Sequence, residues 1–213
     1  MACLNIQFDP FFVEEAVFLY AKADVREKEA LIRDFHRERE ELYNRNSTVE
    51  ERNQFFKNFY ENYFEKTGLK ERFEKNILEF PLLLRSDVLI FVKRVWTKKD
   101  EEVELFNQDG QKTIYVGLQV IRVLDQTFLE TFLRRELMHI SDILDPAFEY
   151  NPQASLGGKN ELEDNLIRDR FRVLWDMDIH ERLSKKEFLL KKNTHQDLLQ
   201  LACSFRINET PRA

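Results

Sequence analysis

The chain has little of what builds a cross-linked or loop-rich protein: 213 residues contain 2 cysteines, 5 glycines and 5 prolines. Cys3 and Cys203 stand near opposite ends and form no C-x-x-C pair. That excludes a disulfide framework and a cysteine-based redox motif, and makes a reducing compartment the expectation. So few glycines and prolines leave room for few long loops and much helix. No window approaches ~18 uninterrupted apolar residues, and residues 1–8 lack a basic segment followed by an apolar one. Neither a signal peptide nor a membrane span is expected, so a cytoplasmic location follows by elimination. The net charge of −6 offers no overall attraction to nucleic acid or to an anionic membrane, so neither is expected as a partner. There is no glycine-rich phosphate loop, no serine nucleophile elbow, no Cys/His arrangement of recognisable spacing, no internal repeat and no low-complexity segment.

What is present is a soluble, globular composition. Hydrophobic residues make up 43%, phenylalanine alone accounts for 19 positions, and the 34% charged residues interleave both signs. Interleaved charge of this kind reads as a solvated helical surface. The length suits a single domain over residues 1–213. It reads in three parts: N-terminal helices over 1–80, a strand meander with a following helix over 87–145, and C-terminal helices over 160–213.

In the first part, Phe12, Ala16, Leu19 and Ala23 have helical spacing, and a charged segment continues the helix to about residue 45. Ser47-x-x-Glu50 is a capping box for a second helix carrying Phe55, Phe56, Phe59, Tyr60 and Tyr63, an aromatic stripe read as core. A third helix over 70–80 stops at Pro81. The middle part changes period. Residues 87–96, 101–107 and 111–123 read as three strands, with a turn at Asn107-Gln108-Asp109-Gly110 and alternating Ile114, Val116, Leu118 and Val120. Thr127-x-x-Glu130 caps the next helix, and Asp145-Pro146 ends it. A loop over 151–159 with Gly157-Gly158 leads to an amphipathic helix over 161–183, then to a lysine-rich helix and a tail.

The helix over residues 127–144 holds the stretch that carries chemistry, Arg135-Glu136-Leu137-Met138-His139. At about 100° per residue, Phe128, Leu129, Phe132, Leu133, Leu137, Ile140, Ile143 and Leu144 form one apolar arc. Glu136 falls in its middle, while Glu130, Thr131, Arg134, Ser141, Asp142 and Asp145 lie mostly opposite. The helix is therefore expected to be central, with Glu136 inward. A carboxylate there must be paired, protonated or beside a metal.

This stretch is one residue short of H-E-x-x-H, in which histidines at i and i+4 hold zinc and the glutamate activates the bound water. Helices, then a small strand meander, then such a helix resemble the minimal zincin metallopeptidase core. The resemblance covers about residues 87–145, with the downstream helix included. It implies an α+β fold: a helix-rich domain with a small antiparallel meander packed on a central motif helix. It also implies Glu136 as general base and His139 as a zinc ligand. Arg135 stands at the other ligand position, and a guanidinium has no lone pair to replace imidazole. For the third ligand, metzincin-type spacing points to Asp145, although Asp142 stands where that pattern has a glycine. Gluzincin-type placement on the next helix points to Glu161 or Glu163, with Asp176 further along. His36, His180 and His195 supply no obvious substitute; His180 pairs in spacing with Asp176, four residues earlier.

Three functional readings result. The first is a catalytically degraded zincin relative that binds zinc weakly or not at all and holds a peptide or protein partner. In it Arg135 pairs with Glu136, Asp142 or Asp145. The second is an active zinc-dependent peptidase using Glu136. The third is an unrelated helical interaction module whose function lies on its charged helices.

Overall fold

The computed structural model describes residues 4–23, 29–154 and 157–185. Cys3, Cys203, His195 and the expected lysine-rich C-terminal helix lie outside the described residues. The chain forms two compact units, Met1–Leu144 and Asp145–Ala213. The described part is mixed α and β, as the α+β expectation requires. No described helix is long and apolar enough to cross a membrane.

The first unit opens with a strand, β1 (Asn5–Phe8), followed by five helices: α1 (Pro10–Lys22), α2 (Glu29–Asn44), α3 (Val49–Lys66), α4 (Leu69–Leu78) and α5 (Pro81–Arg85). Next come β2 (Val88–Arg94), β3 (Glu102–Gln108) and β4 (Gln111–Leu118), a 3-10 turn Val120–Leu124, and α6 (Gln126–Leu144). The sheet has the order β1-β2-β4-β3. β1 runs parallel to β2 and β2 parallel to β4; only β3 is antiparallel, paired to β4.

This corrects the expected antiparallel meander. Of its three strands, only β3 and β4 form a hairpin. Asp109 (φ 51°) and Gly110 (φ 84°) turn it, two left-handed residues that match the twist of the flanking strands. β4 inserts between β2 and β3 because the two most apolar strands take the central positions. Val88, Ile90 and Val92 are buried beside Ile114, Val116 and Leu118. β3, with Glu102, Glu104 and Gln108, is left at the edge, where charge is tolerated and discourages further pairing. Strand β1 has no counterpart in the sequence reading. Four residues are too few for a periodic signal, and its pairing register with Leu89 to Val92 is non-local. The third strand also ends earlier than expected, at Leu118. Arg72 Nη1 on α4 donates to the carbonyls of Val123 (2.7 Å) and Leu124 (3.4 Å), holding residues 120–124 in a turn.

The phenylalanines of β1 and the first four helices form two clusters. Phe8 meets Phe12, Phe64 and Phe73 at centroid distances of 6.3, 5.0 and 5.3 Å, which joins β1 to α1, α3 and α4. Phe35 of α2 packs on Phe59 and Tyr63 of α3 at 5.3 and 5.2 Å. Of the expected α3 stripe, Phe59, Tyr60 and Tyr63 are core, whereas Phe55 and Phe56 are half-buried at its border. Arg45 covers the ring of Phe55 at 4.3 Å, and Tyr43 meets Phe56 at 4.8 Å.

In the second unit, α7 (Glu161–Lys185) follows a 3-10 turn, Pro146–Phe148, and a loop. Arg168 donates to the carbonyls of Pro152 (2.6 Å) and Ala154 (3.1 Å), and Trp175 stacks on Phe148 at 5.2 Å, so the loop lies along this helix.

The cap of α3 lies one residue beyond the sequence expectation. Thr48 Oγ1 accepts from Glu51 N (3.3 Å), and Glu51 Oε2 accepts from Thr48 N (2.9 Å), while Ser47 donates to Arg45 O. Both registers satisfy the S/T-x-x-E pattern, so only the backbone geometry separates them. Thr48→Ala should lower unfolding free energy by about 1 kcal/mol, and Ser47→Ala should change it by less than about 0.5 kcal/mol. Urea denaturation of the two variants checks this, and the reverse order would move the cap back to Ser47.

Candidate functional site

α6 is capped at its start and stopped at its end. Asp125 Oδ1 accepts from Phe128 N (3.0 Å) and Asp125 O from Leu129 N (3.0 Å), so Asp125 caps the helix. This corrects the expected Thr127–Glu130 box: Thr127 is already helical, its carbonyl accepts from Thr131 Oγ1 (2.8 Å), and Glu130 accepts from Gln126 Nε2 (2.8 Å). The helix ends at Leu144, before Asp145-Pro146, as the restriction on a residue preceding proline requires. Leu129, Leu133, Leu137 and Ile140 are buried, and α6 packs on α4, α5, β3 and the 120–124 turn.

The bond that sets its orientation against α4 joins Arg134 to Glu79. Arg134 Nε donates to both Glu79 oxygens (3.1 and 2.9 Å) and Nη2 to Oε1 (2.7 Å), with both side chains largely shielded. The carboxylate raises the pKa of Arg134 further through these hydrogen bonds. Arg134 was expected on a polar face. It is instead a cross-link between helices 55 residues apart in sequence, a distance at which no local spacing can flag it.

The motif residues sit where α6 passes from buried to open. Arg135 Nε and Nη2 both donate to Glu136 Oε1, at 2.9 and 2.6 Å, and the two side chains are 45% and 20% exposed. Glu136 is therefore mostly shielded and paired with its own neighbour. Adjacent helical residues do not face one another, so this contact exists only because the long arginine side chain folds back around the helix. His139 is half-buried beside Phe132 and Ile143 on the same strip, and it has an interaction of its own. Phe128 stacks on Phe132 at 5.9 Å, and the Arg122 guanidinium lies 4.4 Å above the Phe128 ring. Arg122 also meets the shielded carboxylate of Glu101 at 3.3 Å. The result is a half-open strip of Phe128, Glu136, His139 and Ile143 along α6, with Phe132 buried between them.

Asp142 departs from expectation. It was placed on the polar face, yet it is 6% exposed and carries an interaction there. Met138, one turn before it, is buried too, so α6 is covered on a second side that its apolar arc does not show.

The carboxylates considered as a third ligand all belong to the second unit. Asp145 Oδ1 caps the following turn by accepting from Ala147 N (2.9 Å). Glu163 Oε2 accepts from Lys159 N (2.8 Å) at the start of α7. Glu161 is exposed in the first turn, and Asp176 is half-buried with an interaction of its own. Acidic residues in a first helical turn are favoured by the exposed N–H groups and need no metal. Among the described residues, no three His, Cys, Asp or Glu side chains gather at metal-ligand spacing. A separate open groove between α2 and α3, lined by residues such as Glu38, Arg45, Phe55 and Asn62, includes none of the motif residues.

No family model, no curated protein and no solved structure matches the chain.

The two neighbouring arginines should behave differently on removal. Arg134→Ala strands a shielded Glu79 carboxylate and should cost about 1–3 kcal/mol. Arg135→Ala removes a half-exposed pair and should cost at most about 1 kcal/mol. Chemical denaturation of both variants gives the comparison; equal losses would mean that Arg135 carries a structural role these distances do not reveal.

Proposed function

We propose that the chain is a zincin-like protein that lacks the family's metal chemistry and holds a peptide or protein partner. The observation that carries this reading is the double hydrogen bond from Arg135 to Glu136 Oε1. A zinc-peptidase helix needs a lone pair at the first of these positions and an unencumbered carboxylate at the second. Here the first is a cation without a lone pair, and it occupies the second. The donor set on this helix does not suit zinc, so no hydrolytic step is derived from it. What remains is a half-open strip with aromatic and aliphatic side chains beside a polar group at each turn. Such a strip suits an apolar side chain of a partner, with Glu136 and Arg135 at its margin.

The test is repair. Arg135→His sets two imidazoles at i and i+4 next to Glu136. A control, Ser184→His, builds the same spacing with His180 on α7, where no motif is present. If the scaffold descends from a metal site, Arg135→His should bind zinc at least about tenfold more tightly than the control and gain a zinc-dependent rise in Tm. The unmodified protein, purified without chelators, should carry well under one zinc per chain and cleave no peptide. Equal zinc affinity in the variant and the control would sink the zincin reading and favour the unrelated interaction module. Stoichiometric, chelator-resistant zinc in the unmodified protein would favour the active peptidase.

A further inference from the structure

The sheet of the first unit has two unlike faces. On one, the alternate residues of β2 and β4 from Val88 to Leu118 are buried. On the other, the pairing register aligns two rows across all four strands. One row is Gln7, Phe91, Tyr115 and Glu104; the other is Asn5, Leu89, Thr113 and Phe106. None of these side chains is buried, and Phe106 is 49% exposed. Among the described residues, the chain crosses this face at Gly117. A Cβ there would stand 3.0 Å from the carbonyl oxygen of Asp100, so the residue is glycine where the 98–100 turn crosses.

An open face is out of character for these strands. β1, β2 and β4 run parallel, and parallel sheets are found almost only with both faces covered, usually by helices. Nor is the face uniformly polar: Leu89, Phe91, Tyr115 and Phe106 stand among Asn5, Gln7, Thr113 and Glu104. Leu89, Phe91, Tyr115 and Phe106 lie in adjacent rows, and the rings of Phe106 and Tyr115 meet edge-on at 6.4 Å. Phe106 is exposed and the other three are half-buried, and a partly exposed apolar patch of this kind suits an interaction site.

Charge along the strip divides between its two margins. Glu102 and Glu104 project from β3 onto the same face, next to Gly117 and Tyr115, and form no ion pair among the described residues. The Tyr115 phenol has its pKa raised, first by partial burial and then by Glu102, Asp100 and Glu104. Lys93 stands on the β2 side, in line with Gly117 and Glu102.

We propose that this open face docks a basic amphipathic helix of a partner protein. Its apolar side would lie on Leu89, Phe91, Tyr115 and Phe106, and its Lys or Arg side chains would reach Glu102 and Glu104. A helix is the occupant because it is what covers the faces of parallel strands. It is basic because Glu102 and Glu104 at the β3 margin form no ion pair among the described residues. The site involves none of the α6 motif residues and stands apart from the zincin reading.

The experiment uses the full chain and a fluorescein-labelled synthetic helix of about 18 residues, with leucine along one face and lysine elsewhere. A Leu/Glu helix of the same pattern and a scrambled Leu/Lys peptide serve as comparisons, and binding is read by anisotropy. The Leu/Lys helix should bind, and the other two at least about tenfold more weakly. Phe91→Ser and Phe106→Ser should each weaken it about tenfold, and the double variant Glu102→Lys, Glu104→Lys should abolish its preference for lysine over glutamate. Hydrogen exchange should slow in residues 88–94 and 111–118 on binding. Phe106, Glu102 and Glu104 are exposed, so their variants decide the matter even where Phe91→Ser fails to fold. Equal binding of the scrambled peptide, or undiminished binding by Phe106→Ser and the charge variant, overturns the proposal. So does a dimer seen by light scattering whose dilution exposes the same two strands, because a second copy would then be the occupant.

Discussion

Two adjacent parallel strands, β2 and β4, must bury one whole face, and the rest of the first unit is arranged around that requirement. Their inward residues, three from each, are the apolar centre. Parallel neighbours cannot be joined by a tight turn. The chain therefore makes its crossing through the 98–100 turn and β3, and β3 is left at the edge. On the other side β1 is separated from its partner β2 by five helices, three of which, α1, α3 and α4, supply the rings that meet Phe8. The turn that follows β4 is held by Arg72 at Val123 and Leu124, directly before α6. The starting point of the motif helix thus follows from the sheet, and its orientation against α4 from the Arg134–Glu79 bond.

Four arginines on or near α6 illustrate how position alone changes the work of one residue type. Arg72 holds backbone carbonyls, Arg134 binds a carboxylate from another helix, and Arg122 lies between a shielded glutamate and an aromatic face. Arg135 folds back on its own neighbour in a half-exposed setting. Guanidinium groups suit the first three tasks because their donors form a rigid fork and their flat faces stack. The fourth is energetically slight, because solvent screens it. Its effect is chemical: it places a permanent cation where the H-E-x-x-H pattern needs a neutral donor.

How much of this can be read from residues alone depends on the distance over which each signal acts. The 127–144 helix, its apolar arc and its stop before Pro146 follow from periodicity and proline sterics, and the Asp109-Gly110 hairpin from turn chemistry. The α+β class follows from the change of period between residues 80 and 111. The cap of α3 was legible in kind but shifted by one residue, because Ser47 and Thr48 each precede a glutamate at the right interval. Residues 10–45, read as one helix, contain two, α1 and α2, because a charged stretch has no apolar rhythm to mark the break. The candidate site was legible as a residue pattern, and the Arg135–Glu136 contact was among the pairings that the pattern allowed.

What the sequence determined by itself is local: which segments are helix or strand, where turns fall, and that Glu136 sits among apolar neighbours on one helix. These rest on φ/ψ preference and on side-chain period, which act over a few residues. Tertiary structure alone decided the strand order, the parallel pairing of β1, β2 and β4, the burial of Asp142 and the partner of Arg134. Each depends on groups tens of residues apart competing for the same apolar cover or the same hydrogen-bond donor. The sheet order places Leu89, Phe91, Tyr115 and Phe106 in one strip, although they come from three separate segments. Their adjacency is a property of the pairing register, which is set by burial of the opposite face.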